Sequence, residues 1–383
     1  MMNDSAHVEY FDKLRILAAL SVIFMHVAAD PLRAEINTSW HLLNVCTCLA
    51  FTAVPLFFMM SGYLLMSSQK TADVSVLLRH RLPRLVVPLA GWTVVALLWR
   101  MLRSRNFSVL GLWSGLVSSL NGPAMVHFWY LYTLIALYLL SPFLYGGVQS
   151  LAKAKNGKIF LFVLVSAVSA HTILMTVLPD AAAQYFNLDI FTKLKFFGGH
   201  MATFFLGWLL GSLEKKIPNA LLLAGAAVTL AVITVGTWLL TARSGEYKQT
   251  FQNQSSGFEV VLAAFLFLIF KQTSTKRRPI VKAVTTPIVA LLLPVYLMHN
   301  IFISMLNSIG IYAHSFSSTL LITLLTFVVC FVVTKTVATV KPLCYLATGM
   351  KFDDACRKCN WVATFRRLRR RSRKNQLGSS GKI

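Results

Sequence analysis

The sequence is short of charged residues, and acidic residues are the scarcest of them. Only 13% of its 383 residues are charged, with 13 Asp and Glu against 37 Lys and Arg, whereas 56% are hydrophobic. A soluble domain of this length has too little interior to bury so much apolar surface, which excludes a soluble globular protein. The sequence therefore predicts an all-α polytopic membrane protein.

Cysteine is also sparse, and its spacing carries no pattern. The six cysteines suggest no disulfide framework, and the lone Cys356-Arg-Lys-Cys359 has neither a second pair nor a histidine partner. A metal site of the CxxC type needs such partners, so we predict no metal site. A basic segment is missing from the first twelve residues, so we predict no cleavable signal peptide and a retained first span. We find no convincing internal repeat and no appended soluble domain.

Long hydrophobic runs, in contrast, are abundant. Each is long enough to cross a bilayer as a helix, so about ten transmembrane helices are expected. The apolar stretch 109–120 is too short to cross and is expected at the membrane interface or as a re-entrant segment. The ten runs are 14–31, 42–66, 83–102, 127–148, 158–178, 196–213, 219–241, 257–271, 287–309 and 318–341.

The net charge of +24 is explained by membrane topology better than by nucleic acid binding. Basic residues gather in the loops after even-numbered runs and in the C-terminal tail, while the loop at 310–317 has no Lys or Arg. The positive-inside rule then places both termini in the cytoplasm. Residues 1–350 are expected to form the membrane domain. The basic tail, 351–383, is expected to be disordered or to lie on anionic lipid headgroups.

The first run carries three ionisable residues on one predicted helix face. Arg15 and His26 are eleven residues apart, almost a whole number of turns, which separates them by roughly 16 Å along the axis. Asp30 follows one turn beyond His26. Because ionisable groups inside a membrane are costly, such a stripe predicts function, with His26 as an acid/base residue and Asp30 holding its tautomer. The alternative is a histidine that only packs between helices.

A second motif, Arg79-His-Arg81-Leu-Pro-Arg84, lies at the cytoplasmic mouth of the third run. Arg81 and Arg84 are three residues apart and share a helix face. Two guanidinium groups there suit a polyanion such as a diphosphate or a nucleotide 3′-phosphate. Arginines that flank a span also arise from topology alone, and the spacing favours neither interpretation.

Four further polar or aromatic residues are candidates for lining a cavity or binding the acceptor. Ser61, next to Gly62, is expected to pack between helices, since no base for a nucleophilic serine is evident. Trp129 fits an interfacial aromatic belt better than stacking on a sugar ring. Glu259 and His299 are each expected to be structural if taken alone, but their depth in the outer half or middle of the membrane suggests one polar cavity.

Together these pieces resemble the acyltransferase-3 family of bacterial integral membrane proteins, which O-acylate cell-surface glycans. The resemblance covers about residues 9–345 and is carried by the order and spacing of five motifs. Ile16 departs from the glycine that commonly follows the first arginine. The motifs are Arg15 with His26, the Val54–Tyr63 segment, Arg81-Leu-Pro-Arg84 with Pro88, Phe128–Leu131 with Tyr138 and Ser141-Pro142, and Tyr296-Leu-Met-His299.

The resemblance implies an O-acetyltransferase of the bacterial inner membrane. It implies acetyl-CoA as the acyl donor substrate, no cofactor, and a glycan or lipid-linked saccharide as the acceptor on the outer side. In this interpretation His26 is the essential acid/base residue, and Arg15, Arg81 and Arg84 act at the donor side. The chain is similar to short, stand-alone members, including those that acetylate enterobacterial common antigen and related polysaccharides.

An alternative from another class is a transporter or flippase for an anionic or lipid-linked metabolite, whose path would use the intramembrane His, Arg and Glu residues. Many transporters have repeated halves with paired broken helices, and no such symmetry is evident in this sequence. A weaker alternative is a scaffold that binds lipid or nucleic acid through its basic tail. Truncation after Lys351 separates that alternative from an enzyme.

Overall fold

The computed structural model describes residues 9–178, 182, 185, 189–254, 256–273 and 279–359, and in these residues all regular structure is helical. The α-helices that frame the site are numbered in chain order. They are α1 (Glu9–Val27), α2 (Thr38–Phe51), α3 (Ala53–Met66), α4 (Pro83–Ser104), α5 (Val109–Asn121), α6 (Trp129–Lys153), α7 (Gly157–Val177), α8 (Asp189–Gly211), α9 (Asn219–Ser244), α10 (Gly257–Thr273), α11 (Pro279–Ala290), α12 (Leu292–Ser308), α13 (Phe316–Ala338), α14 (Lys341–Thr348) and α15 (Phe352–Cys359).

Every one of the ten predicted apolar runs overlaps a helix or a helix pair, so the prediction of an all-α membrane protein is confirmed. Six helical segments of the described chain are long and apolar enough to cross a membrane, and a seventh joins them if α11 and α12 form one bent span. The remaining predicted spans are helical as well. The total of ten crossings and the cytoplasmic placement of the termini stay predictions.

Two of the predicted spans are broken, and proline explains both breaks. The axes of α11 and α12 meet at 64° around Leu291. Pro294 has no N–H to donate to the Ala290 carbonyl, so a continuous helix is interrupted there. Pro55 has the same effect between α2 and α3, which meet at Thr52. Because of the bend at Leu291, α12 runs in its own direction and buries His299 in the bundle.

Glycine allows α3 and α8 to cross at backbone distance. A Cβ added at Gly62 would lie 1.8 Å from the Phe204 carbonyl oxygen, and one at Gly207 would lie 2.0 Å from the Met59 carbonyl oxygen. Only glycine fits such a crossing, which is a common device in membrane bundles. The expected packing role of the Ser61–Gly62 segment is therefore confirmed for Gly62. The central apolar core is shared by α1, α3, α4, α6, α7, α8, α10 and α12.

Two further helices, α5 and α15, lie at the periphery of the bundle. Helix α5 corresponds to the stretch predicted to lie at the interface, and its Val109 and Leu120 are more than 80% exposed, as in a helix lying among lipid headgroups. Helix α15 occupies the start of the predicted tail. Its Ala355 and Cys359 are buried against the membrane domain, so this first stretch is ordered rather than a free tail. The arginines of the tail beyond residue 359 lie outside the described residues.

Candidate functional site

Three histidines from distant parts of the chain meet in the bundle. His26 lies in the last turn of α1, His127 in a 3₁₀ turn just before α6, and His299 in α12. The His26 ring centroid is 5.2 Å from that of His299 and 5.9 Å from that of His127, and the other two rings are 4.6 Å apart. We call these three residues the histidine cluster.

His127 is the member whose hydrogen bonds are all used. Its Nε2 faces the Leu297 carbonyl at 3.4 Å, and its Nδ1 faces the Asn300 amide nitrogen at 3.4 Å. A carbonyl only accepts and an amide nitrogen only donates, so these partners assign the proton to Nε2. The Tyr296 hydroxyl also donates to the His127 backbone carbonyl. His127 is therefore anchored to α12 and has no nitrogen left for a substrate.

His26 and His299, in contrast, each keep an available nitrogen. His299 is fully buried, and its Nδ1 donates to the Tyr296 carbonyl, which leaves Nε2 as the unprotonated nitrogen of the neutral ring. That Nε2 has no hydrogen-bond partner among the described residues. His26 is half-buried and makes ring contacts but no hydrogen bond in the same part of the chain. The cluster thus presents two imidazoles with acceptor capacity.

The structure does not bring Asp30 to His26. Helix α1 ends at Val27, because Pro31 cannot donate to the Val27 carbonyl and its ring clashes there. Asp30 lies beyond the end of α1, in the turn before Pro31. Its carboxylate pairs with Arg33 at 3.4 Å and its side chain is 55% exposed. The expected role of Asp30 in holding the His26 tautomer is not supported, since the neighbours of His26 are the other two histidines.

At the far end of α1, the three predicted arginines converge. Arg15, Arg81 and Arg84 each lie close enough to the Tyr138 side chain of α6 for a Coulomb interaction. We call these three residues the Arg15 cluster. These guanidinium groups come from α1, from a π-helical turn (Leu77–Arg81) and from the start of α4, so three separate elements supply positive charge around one side chain. The arrangement can therefore hold a polyanion.

The members of the Arg15 cluster differ in how firmly they are held. Arg81 donates to the Thr71 hydroxyl at 2.7 Å and to the Ser68 hydroxyl at 3.2 Å. Arg15 lies 3.7 Å from the buried Asp12 carboxylate. Arg84 is exposed and makes no hydrogen bond or ion pair with any described residue. Arg84 is thus the member most available to a ligand.

The backbone of Arg84 is held by a close packing contact, even though its side chain is exposed. Pro88, one turn later, has no N–H for the Arg84 carbonyl. Gly349, at the end of α14 with φ of +67°, packs against that carbonyl, and a Cβ there would lie 2.5 Å from the oxygen. Glycine is needed at this position both for its left-handed backbone and for the close approach. The end of helix α14 thereby fixes the position of the Arg84 backbone.

Tyrosines connect the two clusters. His127 and Tyr138 are eleven residues apart, the same interval that separates Arg15 from His26. The His127 ring faces that of His26, and Tyr138 interacts electrostatically with Arg15. Helices α1 and α6 therefore run antiparallel with their polar residues level. Between these two levels, the Tyr130 side chain lies beside Ser61, and its ring centroid is 5.9 Å from that of Tyr296. Ser61 is thus part of this polar track.

The other two predicted cavity residues lie elsewhere. Trp129 is half-buried and packs its ring 5.0 Å from that of His200, which stacks on Phe58. Glu259 is fully buried, and neither carboxylate oxygen has a hydrogen-bond partner among the described residues. The described neighbours with which Glu259 interacts electrostatically include Cys48. The structure therefore groups His299 with His26, and places Trp129 and Glu259 in other surroundings.

Sequence reasoning missed His127 as a member of the cluster. An interfacial aromatic belt accounts for Trp129 and the aromatic residues around it, but not for the buried histidine at position 127. The sequence signal that could have indicated His127 is that it is a second histidine at the same predicted membrane depth as His26. No group of three His, Cys, Asp or Glu side chains in the described ranges is arranged to hold a metal ion.

The described residues thus place a cluster of three histidines and a set of three arginines about eleven residues apart along α1 and α6, within an all-helical membrane bundle. A family model described as an acyltransferase domain, that of the acyltransferase-3 family, matches residues 8–335. The chain belongs to this family and is a membrane acyltransferase. It has no significant match among the curated proteins or among solved structures.

Proposed function

We propose that the protein transfers an acetyl group from cytoplasmic acetyl-CoA to a hydroxyl of a cell-surface glycan or lipid-linked saccharide, across a bacterial inner membrane. One observation carries this function. Arg15 lies eleven residues before His26 on α1, and Tyr138, with which all three arginines interact, lies eleven residues after His127 along α6. Tyr130, beside Ser61, lies between these two levels. A donor that enters at one end can thus present its acyl group to an acceptor at the other.

The donor end suits the phosphates of CoA. CoA carries a diphosphate and a 3′-phosphate, and arginine binds such groups through two parallel hydrogen bonds. Arg84 has its donors free, while Arg81 is preorganised by Thr71 and Ser68. With the phosphates held there, the pantetheine arm would extend along the polar track towards the histidines. The thioester would then reach the middle of the bundle, shielded from cytoplasmic water.

The chemistry follows from the free nitrogen of His26. His26 takes the proton of the acceptor hydroxyl while the hydroxyl oxygen attacks the thioester carbonyl carbon. A carbon–oxygen bond forms and the carbon–sulfur bond breaks, so the acyl group moves to the acceptor. The sulfur of CoA leaves with the electron pair and receives the proton from the imidazolium of His26. No redox partner is needed, because atoms and charge balance within this exchange.

His299 acts in this scheme as a positioning residue. Its unpartnered Nε2 is an acceptor at the side of His26, with the ring centroids 5.2 Å apart. An N–H of His26 directed to this acceptor would leave the other nitrogen of His26 to face the hydroxyl. The orienting group is then a neutral imidazole rather than the carboxylate of Asp30. A neutral partner also avoids placing a bare charge inside the membrane.

The test is acyl transfer by the purified full chain carrying His26→Ala, measured as release of free CoA and as acylated saccharide. General acid–base catalysis contributes about 10²- to 10⁴-fold, and we expect a loss in that range. His314→Ala is the matched control, since His314 is exposed and outside the cluster. Retained transfer by His26→Ala at normal membrane abundance would overturn the assignment.

One observation also favours a transporter, namely the broken α11–α12 pair, a feature of many transporter binding sites. The two functions differ in what happens to the thioester. An acyltransferase releases free CoA in step with acceptor acylation, whereas a transporter moves its substrate unchanged. Sealed vesicles loaded with acceptor, supplied with acetyl-CoA outside, report both quantities in one experiment.

A further inference from the structure

A second arginine pair lies at the opposite end of α4 from Arg84. Arg103 donates to the Ser304 hydroxyl at 3.0 Å, Trp99 donates to the same oxygen at 3.2 Å, and Arg100 donates to the Ala124 carbonyl. No carboxylate pairs with either arginine in the described part of the chain. We call Arg100 and Arg103 the Arg100 pair. The predicted topology puts it on the outer side, where arginine is depleted, so topology does not explain it.

An apolar groove of about 1050 Å³ runs down from this pair between α4, α12, α13 and α14. Every residue that lines it is apolar, and along α4 it extends from Ala90 to Leu102, roughly 18 Å of helix. Its walls include exposed side chains such as Val95 and Met305. A groove of this length on the side of a membrane bundle fits a hydrocarbon chain.

A smaller pocket of about 430 Å³ shares a wall residue with the groove. Trp99 lines both spaces, and Arg100, Arg103 and Ser304 line the pocket. Met125, also in its wall, is two residues from His127, and Ser304 is on the same helix as His299. A ligand whose charged group sits in this pocket would thus have its tail in the groove, past the shared wall at Trp99.

We propose that the groove and the Arg100 pair bind the acceptor as a lipid-linked saccharide, with its hydrocarbon chain in the groove and its phosphate or diphosphate on Arg100 and Arg103. This site rests on the proposed acyl transfer and names the chemical class of its acceptor. Charge complementarity selects this occupant, because two guanidinium groups without carboxylate partners match a phosphate or diphosphate and an all-apolar groove matches the chain attached to it. The saccharide would project from the pocket towards His26.

The experiment uses the full chain in phosphatidylcholine nanodiscs with a photoreactive geranylgeranyl diphosphate as probe. We expect crosslinks to α4 and α12, and displacement by unlabelled geranylgeranyl diphosphate at concentrations at which phosphatidylglycerol has no effect. The double variant Arg100→Gln/Arg103→Gln should weaken binding roughly ten- to hundred-fold, since it removes hydrogen bonds to a charged group. Val95→Trp should weaken it by filling the groove.

Matched controls separate these effects from general damage. Arg243→Gln removes an exposed arginine at the corresponding end of α9, and Val228→Trp enlarges an exposed apolar residue outside the groove. Both should bind the probe as the unsubstituted chain does. Equal competition by phosphatidylglycerol, or crosslinks spread over the whole lipid-facing surface, would show an ordinary lipid contact and overturn the site. Mapping crosslinks in the unsubstituted chain keeps this test valid even if a variant fails to fold.

A parallel measurement distinguishes failure of this site from failure of the proposed function. Acyl transfer from acetyl-CoA is measured to a lipid-linked saccharide and to the same saccharide without its lipid. If both acceptors are used equally and the double variant changes neither, the acceptor site is wrong while acyl transfer stands. If the probe binds as expected but no acceptor is acylated, the proposed function is what fails.

Discussion

The two ends of α4 carry the same local pattern and lead to different chemistry. Arg81 and Arg84 at one end and Arg100 and Arg103 at the other are both spaced three residues apart. The first pair joins Arg15 around Tyr138, beside a polar track. The second pair shares the pocket at the top of an apolar groove. What an arginine pair can bind is therefore decided by the surface beside it and not by its spacing.

The largest expected difference between the two ends of α4 is in the KM values after one arginine is replaced at each end. Arg84→Gln should lower kcat/KM for acetyl-CoA roughly ten- to hundred-fold through a higher KM, because Arg84 has its donors free for phosphate. Arg103→Gln should instead raise the KM for the lipid-linked acceptor. Initial rates with each substrate varied in turn give both constants.

Arg79→Gln is the control for this comparison, since Arg79 is exposed, lies in the π-helical turn just before α4, and takes no part in the Arg15 cluster. It should leave both KM values within a factor of about two. If Arg84→Gln and Arg103→Gln each raised both KM values alike, the two ends would not be separate binding sites, and the distinction between them would be lost.

A smaller effect, on kcat, is expected from replacing His299 in the histidine cluster. His299→Leu removes the acceptor beside His26 and should lower kcat about tenfold with both KM values unchanged, since the residue orients His26 without touching substrate. His299→Gln keeps an acceptor oxygen and should recover part of kcat. A merely structural role predicts instead that both variants lose activity in proportion to protein abundance, which quantitative immunoblotting of the membranes measures.

Sequence reasoning located the helices well because spanning length and hydrophobicity are local properties. It also singled out Arg15, His26, Arg81 and Arg84, because their spacing on a helix is local too, and their roles stay predictions. It did not bring His127 to His26, because they are about a hundred residues apart and meet only through the tertiary packing of the bundle. Long-range pairing of this kind has no signal in one sequence.

The Arg100 pair was overlooked for a different reason. The positive-inside rule explains the overall excess of arginines on the cytoplasmic side. It does not single out the few arginines that lie on the outer side, such as the Arg100 pair. The groove beneath them is equally invisible, since it is formed by α4, α12, α13 and α14, which are far apart in the chain. A basic pair on the side where the rule expects few is the signal that sequence reasoning can use.

The smallest effect is expected at Asp30, the residue that the structure leaves outside both ends of the track. Asp30→Asn should change kcat and both KM values by less than about twofold, because its exposed pair with Arg33 contributes little. Asp12→Asn is an informative contrast: Asp12 is buried beside Arg15, so its loss should disturb the donor end and raise the KM for acetyl-CoA. Steady-state rates at matched membrane abundance measure both. A tenfold loss of kcat in Asp30→Asn would show that α1 extends beyond Val27 during turnover and returns the carboxylate to His26.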